Sequence, residues 1–103
     1  MRKEILYDKN ALKELREFRE EVQEEFAACI KTLKQEGQLE YPEARKVARN
    51  LFEIRVVHEG AYRAFYAYVM KESIVILHFF QKKTQKIPLK NLKLAQQRLK
   101  QYE

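Results

Sequence analysis

The 103-residue chain contains one cysteine, two histidines, two glycines, two prolines and no tryptophan. Several classes of protein are excluded by these shortages. Cys29 has no second cysteine to pair with, so an intramolecular disulfide is impossible, and a cytosolic protein needs none. It lies between Phe26 and Leu33 on a helical stripe with no base nearby to activate it, and reads as a small core residue rather than a nucleophile. One cysteine with His58 and His78 supplies neither a CxxC pair nor an HExxH helix, so no metal site is expected. No apolar run approaches the roughly 18 residues that span a bilayer, and no apolar signal-like stretch opens the chain. The expectation is a cytoplasmic protein with no membrane partner. Repeats, low-complexity tracts and long linkers are lacking too, so residues 1–103 are expected to form a single domain around one core.

What the chain has in quantity is charge, unevenly spread. Residues 1–40 carry 8 Lys/Arg against 10 Asp/Glu, and residues 41–103 carry 13 against 5, so the net +6 is −2 followed by +8. A basic half and a pI near 9.5 point to a polyanionic partner, most commonly nucleic acid. The bland alternative is a solvated basic surface.

Hydrophobic spacing divides the chain into elements. Glu4-Ile5-Leu6-Tyr7 reads as a short strand, closed by Asp8 as a helix cap. Leu12, Leu15, Phe18, Val22, Phe26, Ile30 and Leu33 recur at helical spacing up to a stop at Gly37, as one helix or two. Glu14, Glu17, Glu20, Glu21, Glu24 and Glu25 occupy the remaining helical surface, an acidic face that would repel phosphates, so the helices are expected to be scaffold. Gln38 to Asn50 reads as a polar connection in which Pro42 opens a short helical turn.

The period then becomes two. Leu51 to Val57 places Phe52, Ile54 and Val56 on one face and Glu53 and Arg55 on the other; His58-Glu59-Gly60-Ala61 turns the chain. Tyr62 to Met70 places Arg63, Phe65, Ala67 and Val69 opposite Tyr62, Ala64, Tyr66 and Tyr68. Ile74 to Phe80 is a third strand that ends on His78, Phe79 and Phe80 and runs straight into Gln81-Lys82-Lys83-Thr84-Gln85-Lys86-Ile87-Pro88. A strand that delivers a histidine and three lysines to one edge suits a phosphodiester. Leu89, Leu92, Leu94, Ala95 and Leu99 then predict a lysine-backed C-terminal helix. The reading is an α+β fold of order β-α(α)-β-β-β-α, with an N-terminal strand and helix or helical hairpin packed on an antiparallel meander.

These residues carry a family resemblance. Leu51-Phe52-Glu53-Ile54-Arg55, Tyr62-Arg63-Ala64-Phe65-Tyr66 and Ile76-Leu77-His78-Phe79-Phe80-Gln81-Lys82-Lys83-Thr84-Gln85-Lys86-Ile87-Pro88 resemble, in order and spacing, the motifs of the RelE/ParE toxin superfamily, nearest its phage-derived, HigB-like branch. The resemblance implies a RelE-like fold and the toxin of a type II toxin–antitoxin system. Such a toxin cuts messenger RNA in the ribosome and is restrained by a cognate antitoxin, here expected to be a helix-turn-helix protein. The implied chemistry needs no metal or cofactor: a ribose 2′-hydroxyl attacks the adjacent phosphorus and the 5′-oxygen leaves.

Carried over residue by residue, the resemblance implies that Arg63 pairs with the scissile phosphate and Arg55 adds a second contact, while Lys82 or Lys83 stabilises the pentacoordinate phosphorus. His78 is a candidate for proton exchange, since histidine is the side chain type whose unperturbed charge change lies near physiological pH. Glu53 stands where some relatives have a lysine, and is either a base or an orienting partner for Arg55. The Ile87-Pro88-Leu89 stretch replaces a tyrosine that some relatives use. Lys46, Arg49, Lys83, Lys86 and Lys90 are expected to attract RNA electrostatically, and Tyr66, in the row with Tyr62 and Tyr68, is a candidate to stack a base.

Each residue has a plainer role as well. His78 can be a buried, hydrogen-bonded side chain, Arg55 and Arg63 can pair with Glu53 or Glu59 across the meander, and the tyrosine row can be core. At the level of function the alternatives are a ParE-like, non-enzymatic inhibitor of DNA gyrase and a catalytically decayed prophage remnant.

Overall fold

The computed structural model describes residues 2–86 and 88–103; Ile87 and its part in the Ile87-Pro88-Leu89 stretch lie outside the described residues. The order is β1 (Glu4–Tyr7), α1 (Lys9–Arg16), α2 (Glu20–Glu36), β2 (Ala44–Ala48), β3 (Leu51–Val57), β4 (Ala61–Val69), β5 (Ser73–Lys82) and α3 (Leu89–Leu99). The α+β fold expected from the sequence is present, with one strand more than the spacing predicts.

The N-terminal strand ends as expected on Asp8, whose side chain accepts the amides of Asn10 and Ala11 at 2.9 and 3.2 Å and starts α1. The helical stripe is divided into two helices. The chain breaks through Glu17, Phe18 and Arg19, and the Gln23 side-chain amide holds the break by donating to the Phe18 carbonyl at 2.8 Å. Gly37 closes α2 in the left-handed conformation at φ 80°, where a Cβ would be strained, and its amide donates to Leu33.

The five strands lie in the order β1-β5-β4-β3-β2, with β1 parallel to β5 and the other pairs antiparallel. The turn expected at Pro42 is present, with the Ala44 amide donating to the Glu40 carbonyl at 3.2 Å, but the connection then continues as β2, an edge strand that pairs Ala44 with Ile54 and Arg45 with Glu53. An edge strand is short and charged because one side of it meets water, so it lacks the apolar alternation by which inner strands are recognised. At the β2–β3 turn, Asn50 adopts φ 48° and fastens the sheet by donating to the Tyr68 carbonyl at 2.8 Å and accepting its amide at 3.1 Å.

The two sheet faces of β3 and β4 fall as their alternation predicts. Ile54, Val56, Ala64 and Tyr66 join Val22, Phe26, Ile30 and Leu33 beneath the α1–α2 pair. Leu51, Phe65, Ala67 and Val69 face α3, which contributes Ala95 and Leu99. Strand β5 changes phase midway. Phe65 pairs with His78 but Tyr66 pairs with Ile76, leaving Leu77 as the extra residue of a β-bulge. Beyond the bulge, Phe79 packs under the helical hairpin and Phe80 under α3. Helix α3 covers one end of its sheet face and leaves the other end open, where β2 to β5 present charged side chains instead of core.

Candidate functional site

That open end is a cleft of about 540 Å³ lined by Arg45, Lys46, Val47, Glu53, Arg55, Arg63, Phe65, Lys82, Gln85, Pro88 and Leu92. Adjacent strands supply its charge. Register sets Arg45 beside Glu53 and Arg55 beside Arg63, so the arginines of β2 and β4 flank one carboxylate and that of β3 lies opposite Arg63. Five cationic side chains and one carboxylate line the space. Such an excess is tolerable where water or an anion screens it, and is otherwise costly.

Glu53 organises the cluster. It is only 1% exposed, and its Oε1 accepts from Arg45 Nε at 3.1 Å. The same oxygen lies 3.4 Å from Arg63 Nε, within ion-pair reach but without the alignment of a hydrogen bond. Arg63 is 5% exposed and donates from Nη1 to the Tyr62 carbonyl at 3.2 Å, while its Nε is a buried nitrogen with no hydrogen-bond acceptor among the described residues. Its pKa lies below the usual arginine value, first because burial penalises the charge and then because Arg55 and Arg45 repel it, with Glu53 acting in the opposite sense. A buried guanidinium with spare donor capacity is suited to an anion that brings additional oxygens.

Of the residues singled out from sequence, Arg55, Arg63, Glu53, Lys82 and Lys46 line this cleft. Lys83 lines a neighbouring depression with Ala61, Thr84 and Gln85, and Arg63 and Lys82 border both spaces. Arg49, Lys86 and Lys90 are exposed and do not line the cleft.

Three expectations need correction. Tyr66 does not face a ligand: it is 1% exposed and stacks on Phe52 in the core under the helical hairpin, with rings 5.4 Å apart. Burial, followed by its neighbour Tyr68, raises its hydroxyl pKa well above the usual tyrosine value. Glu53 orients Arg45 and Arg63 rather than Arg55, and Glu59 pairs with Arg19 at 2.9 Å instead of with the meander arginines.

The third correction is His78, which is 5% exposed and outside the cleft lining. Its Nδ1 lies 2.9 Å from Glu14 Oε1 and its Nε2 lies 2.7 Å from Asn91 Oδ1, so both ring nitrogens are engaged. Glu14 also accepts the Phe79 amide at 3.1 Å and both Arg98 terminal nitrogens at 3.0 Å. Burial alone would raise the Glu14 pKa, but the bonds from His78, Arg98 and Phe79 outweigh it and bring the carboxyl down to about 2. Arg98 further donates to the Leu77 carbonyl at 2.9 Å, and Tyr102 donates to Asp8 Oδ2 at 3.1 Å. This network ties α3 to α1 and to the bulge.

Sequence reasoning missed two polar residues. Arg45 lies in the segment read as a polar connection, and nothing in the sequence marks that segment as a strand. Glu14 was assigned to the acidic surface, yet it follows Ala11 by three residues and precedes Phe18 by four, the spacing of the buried stripe.

Among the described residues no cluster of three or more His, Cys, Asp and Glu side chains gathers as a metal site would require, and no helix is long and apolar enough to cross a membrane. No curated protein sequence matches the chain significantly. Among solved structures, it resembles a double arginine-to-alanine mutant of the E. coli toxin RelE in its free state, with a TM-score of 0.69 at 16% identity over 90% of this chain and 97% of that one. The isolated E. coli RelE toxin is similar at a TM-score of 0.65 and 15% identity, over 88% of this chain and 96% of that one. At such identities the likeness establishes the fold. The profile of the phage-derived Gp49-like protein family (DUF891) matches residues 13–100, nearly the whole chain. The chain therefore belongs to the phage-derived Gp49-like family and carries the RelE fold.

Proposed function

We propose that the protein is the toxin of a type II toxin–antitoxin system, an endoribonuclease that cuts messenger RNA on the ribosome and is neutralised by a cognate helix-turn-helix antitoxin. One observation carries the reading: the guanidiniums of Arg45, Arg55 and Arg63 converge with Lys82 on a cleft that holds a single carboxylate. A surface that binds only protein has no need of a buried arginine with unused donors.

The cluster suits phosphodiester cleavage by an internal nucleophile. Arg63 and Arg55 would bind the non-bridging oxygens and offset the charge that grows as the 2′-oxygen attacks phosphorus. Lys82, on the border between the two depressions, would protonate the departing 5′-oxygen. Glu53 would take the 2′-hydroxyl proton once phosphate has drawn Arg45 and Arg63 away from it. The P–O bond to the 2′-oxygen forms as that to the 5′-oxygen breaks, leaving a 2′,3′-cyclic phosphate. Each step uses side chains alone.

Brief induction in cells, with mapping of transcript 5′ ends, tests the reading. Wild type should produce new ends within translated messages, and Arg63→Ala should lose them by about a hundredfold or more while still folding and binding antitoxin. Unchanged cleavage by Arg63→Ala would remove the central assignment. DNA damage that precedes the fall in translation would instead indicate inhibition of gyrase.

A further inference from the structure

The first turn of α3 is both a wall of the cleft and one end of the buried network. Pro88 and Leu92 line the cleft, and between them Asn91 Oδ1 meets His78 Nε2 at 2.7 Å. On its other nitrogen, His78 is fixed by Glu14 at 2.9 Å, and its ring stacks on Phe80 with centroids 5.2 Å apart and planes 19° from parallel. Phe80 is in turn the register partner of Arg63. A continuous set of contacts thus runs from α1 through His78 to the helical wall and to the strand position of the buried arginine.

We infer that His78 and Asn91 are a positioning pair that holds the first turn of α3 at the distance from Arg63 and Arg55 that an RNA strand requires. The inference rests on the RNA reading of the cleft given above. Neither residue touches the reacting atoms. Asn91 is the link through which the wall is set, because the far end of α3 has its own attachments: Arg98 to Glu14 and the Leu77 carbonyl, and Tyr102 to Asp8. Within the first turn, the Leu92 amide bonds to the Pro88 carbonyl at 3.0 Å, whereas Pro88, as N-cap, supplies no side-chain hydrogen bond. This end of the helix therefore lacks the local capping that would hold it without His78.

The pair can be separated from the fold by substituting Asn91, which is only half-buried. In Asn91→Ala, amide hydrogen exchange at Leu92 should accelerate by about tenfold, as expected for loss of one hydrogen bond to a polar ring, while exchange at Ala95 and Leu99 stays as in wild type. Affinity for a short oligoribonucleotide blocked by a 2′-deoxy group at the cleavage position should fall several-fold, and Asn91→Asp, which keeps an acceptor for Nε2–H, should recover most of it. Unchanged exchange at Leu92 overturns the inference. So does faster exchange with unaltered RNA affinity, provided that Arg63→Ala weakens RNA in the same assay. Equal RNA affinity of wild type and Arg63→Ala overturns the RNA reading of the cleft, and the inference with it.

Discussion

Arg55 and Arg63 face each other as register partners on β3 and β4, two guanidiniums on one sheet face with Glu53 as the only carboxylate that lines the cleft among the described residues. Like charges directly opposite each other destabilise a sheet by about 0.2–1 kcal/mol. The arrangement is therefore better explained by a bound anion than by stability.

This juxtaposition predicts opposite effects on stability and binding. Arg55→Gln should leave stability unchanged or raise it by up to about 1 kcal/mol, because it relieves the repulsion from a half-exposed position. The same substitution should weaken RNA binding and reduce its salt dependence by roughly 0.7 in log–log slope, the share of one lost phosphate contact on a single strand. Urea unfolding and RNA titrations at several salt concentrations measure the two effects. A variant that is destabilised and binds as before would contradict the assignment.

Glu53→Gln separates orientation from proton transfer. The amide still offers an oxygen to Arg45, but two neighbouring guanidiniums lose their counter-charge, so stability should drop by about 1–3 kcal/mol. RNA affinity should rise, since a negative charge has left the cleft, while cleavage of bound RNA falls by about a hundredfold. If cleavage persists at the wild-type rate, Glu53 is not the proton acceptor.

Glu14 links stability to acidity. Its folded pKa of about 2 lies below the roughly 4.3 of an unfolded glutamate, so the native state is favoured by its ionised form. That contribution is complete above about pH 5 and disappears as pH falls toward 2. Thermal unfolding between pH 7 and 2.5 should show a wild-type loss in this window that is smaller in Glu14→Gln, whose stability is already lower at pH 7 by about 1–3 kcal/mol. Parallel curves for the two proteins would mean that the carboxylate is not held by Arg98 and His78 in solution.

How much of this was legible in the sequence depended on where each segment meets water. In β3 and β4 one side is core and the other is partly a cleft, so Glu53, Arg55 and Arg63 interrupt an apolar alternation and reveal their common face. Strand β5 is covered on both sides, by the helical hairpin and by α3. Its run from Ile74 to Leu77 therefore has no polar phase mark, and neither the bulge nor the final direction of His78 can be read from it. At the sheet edge, β2 hides for the opposite reason, since solvent on its outer side permits a charged sequence that looks like a connection. Tyr66 illustrates a third limit: tyrosine tolerates both core and ligand surfaces, and the crowded neighbours Phe52 and Tyr68 decide between them.

The single extra residue at Leu77 also governs Lys82. Because the bulge leaves Leu77 unpaired, the side chains after it fall on the opposite faces from those that their sequence parity with Ile74 and Ile76 would give, and Lys82 reaches the arginines for that reason. Were the same residues paired with β4 in a regular ladder from Ile76 onward, Phe80 and Lys82 would fall on the hairpin side and Phe79 and Gln81 in their place, whereas deleting Leu77 would remove the bulge and leave them where they are. An irregularity inside the most apolar strand thus decides which side of the sheet receives an ammonium group.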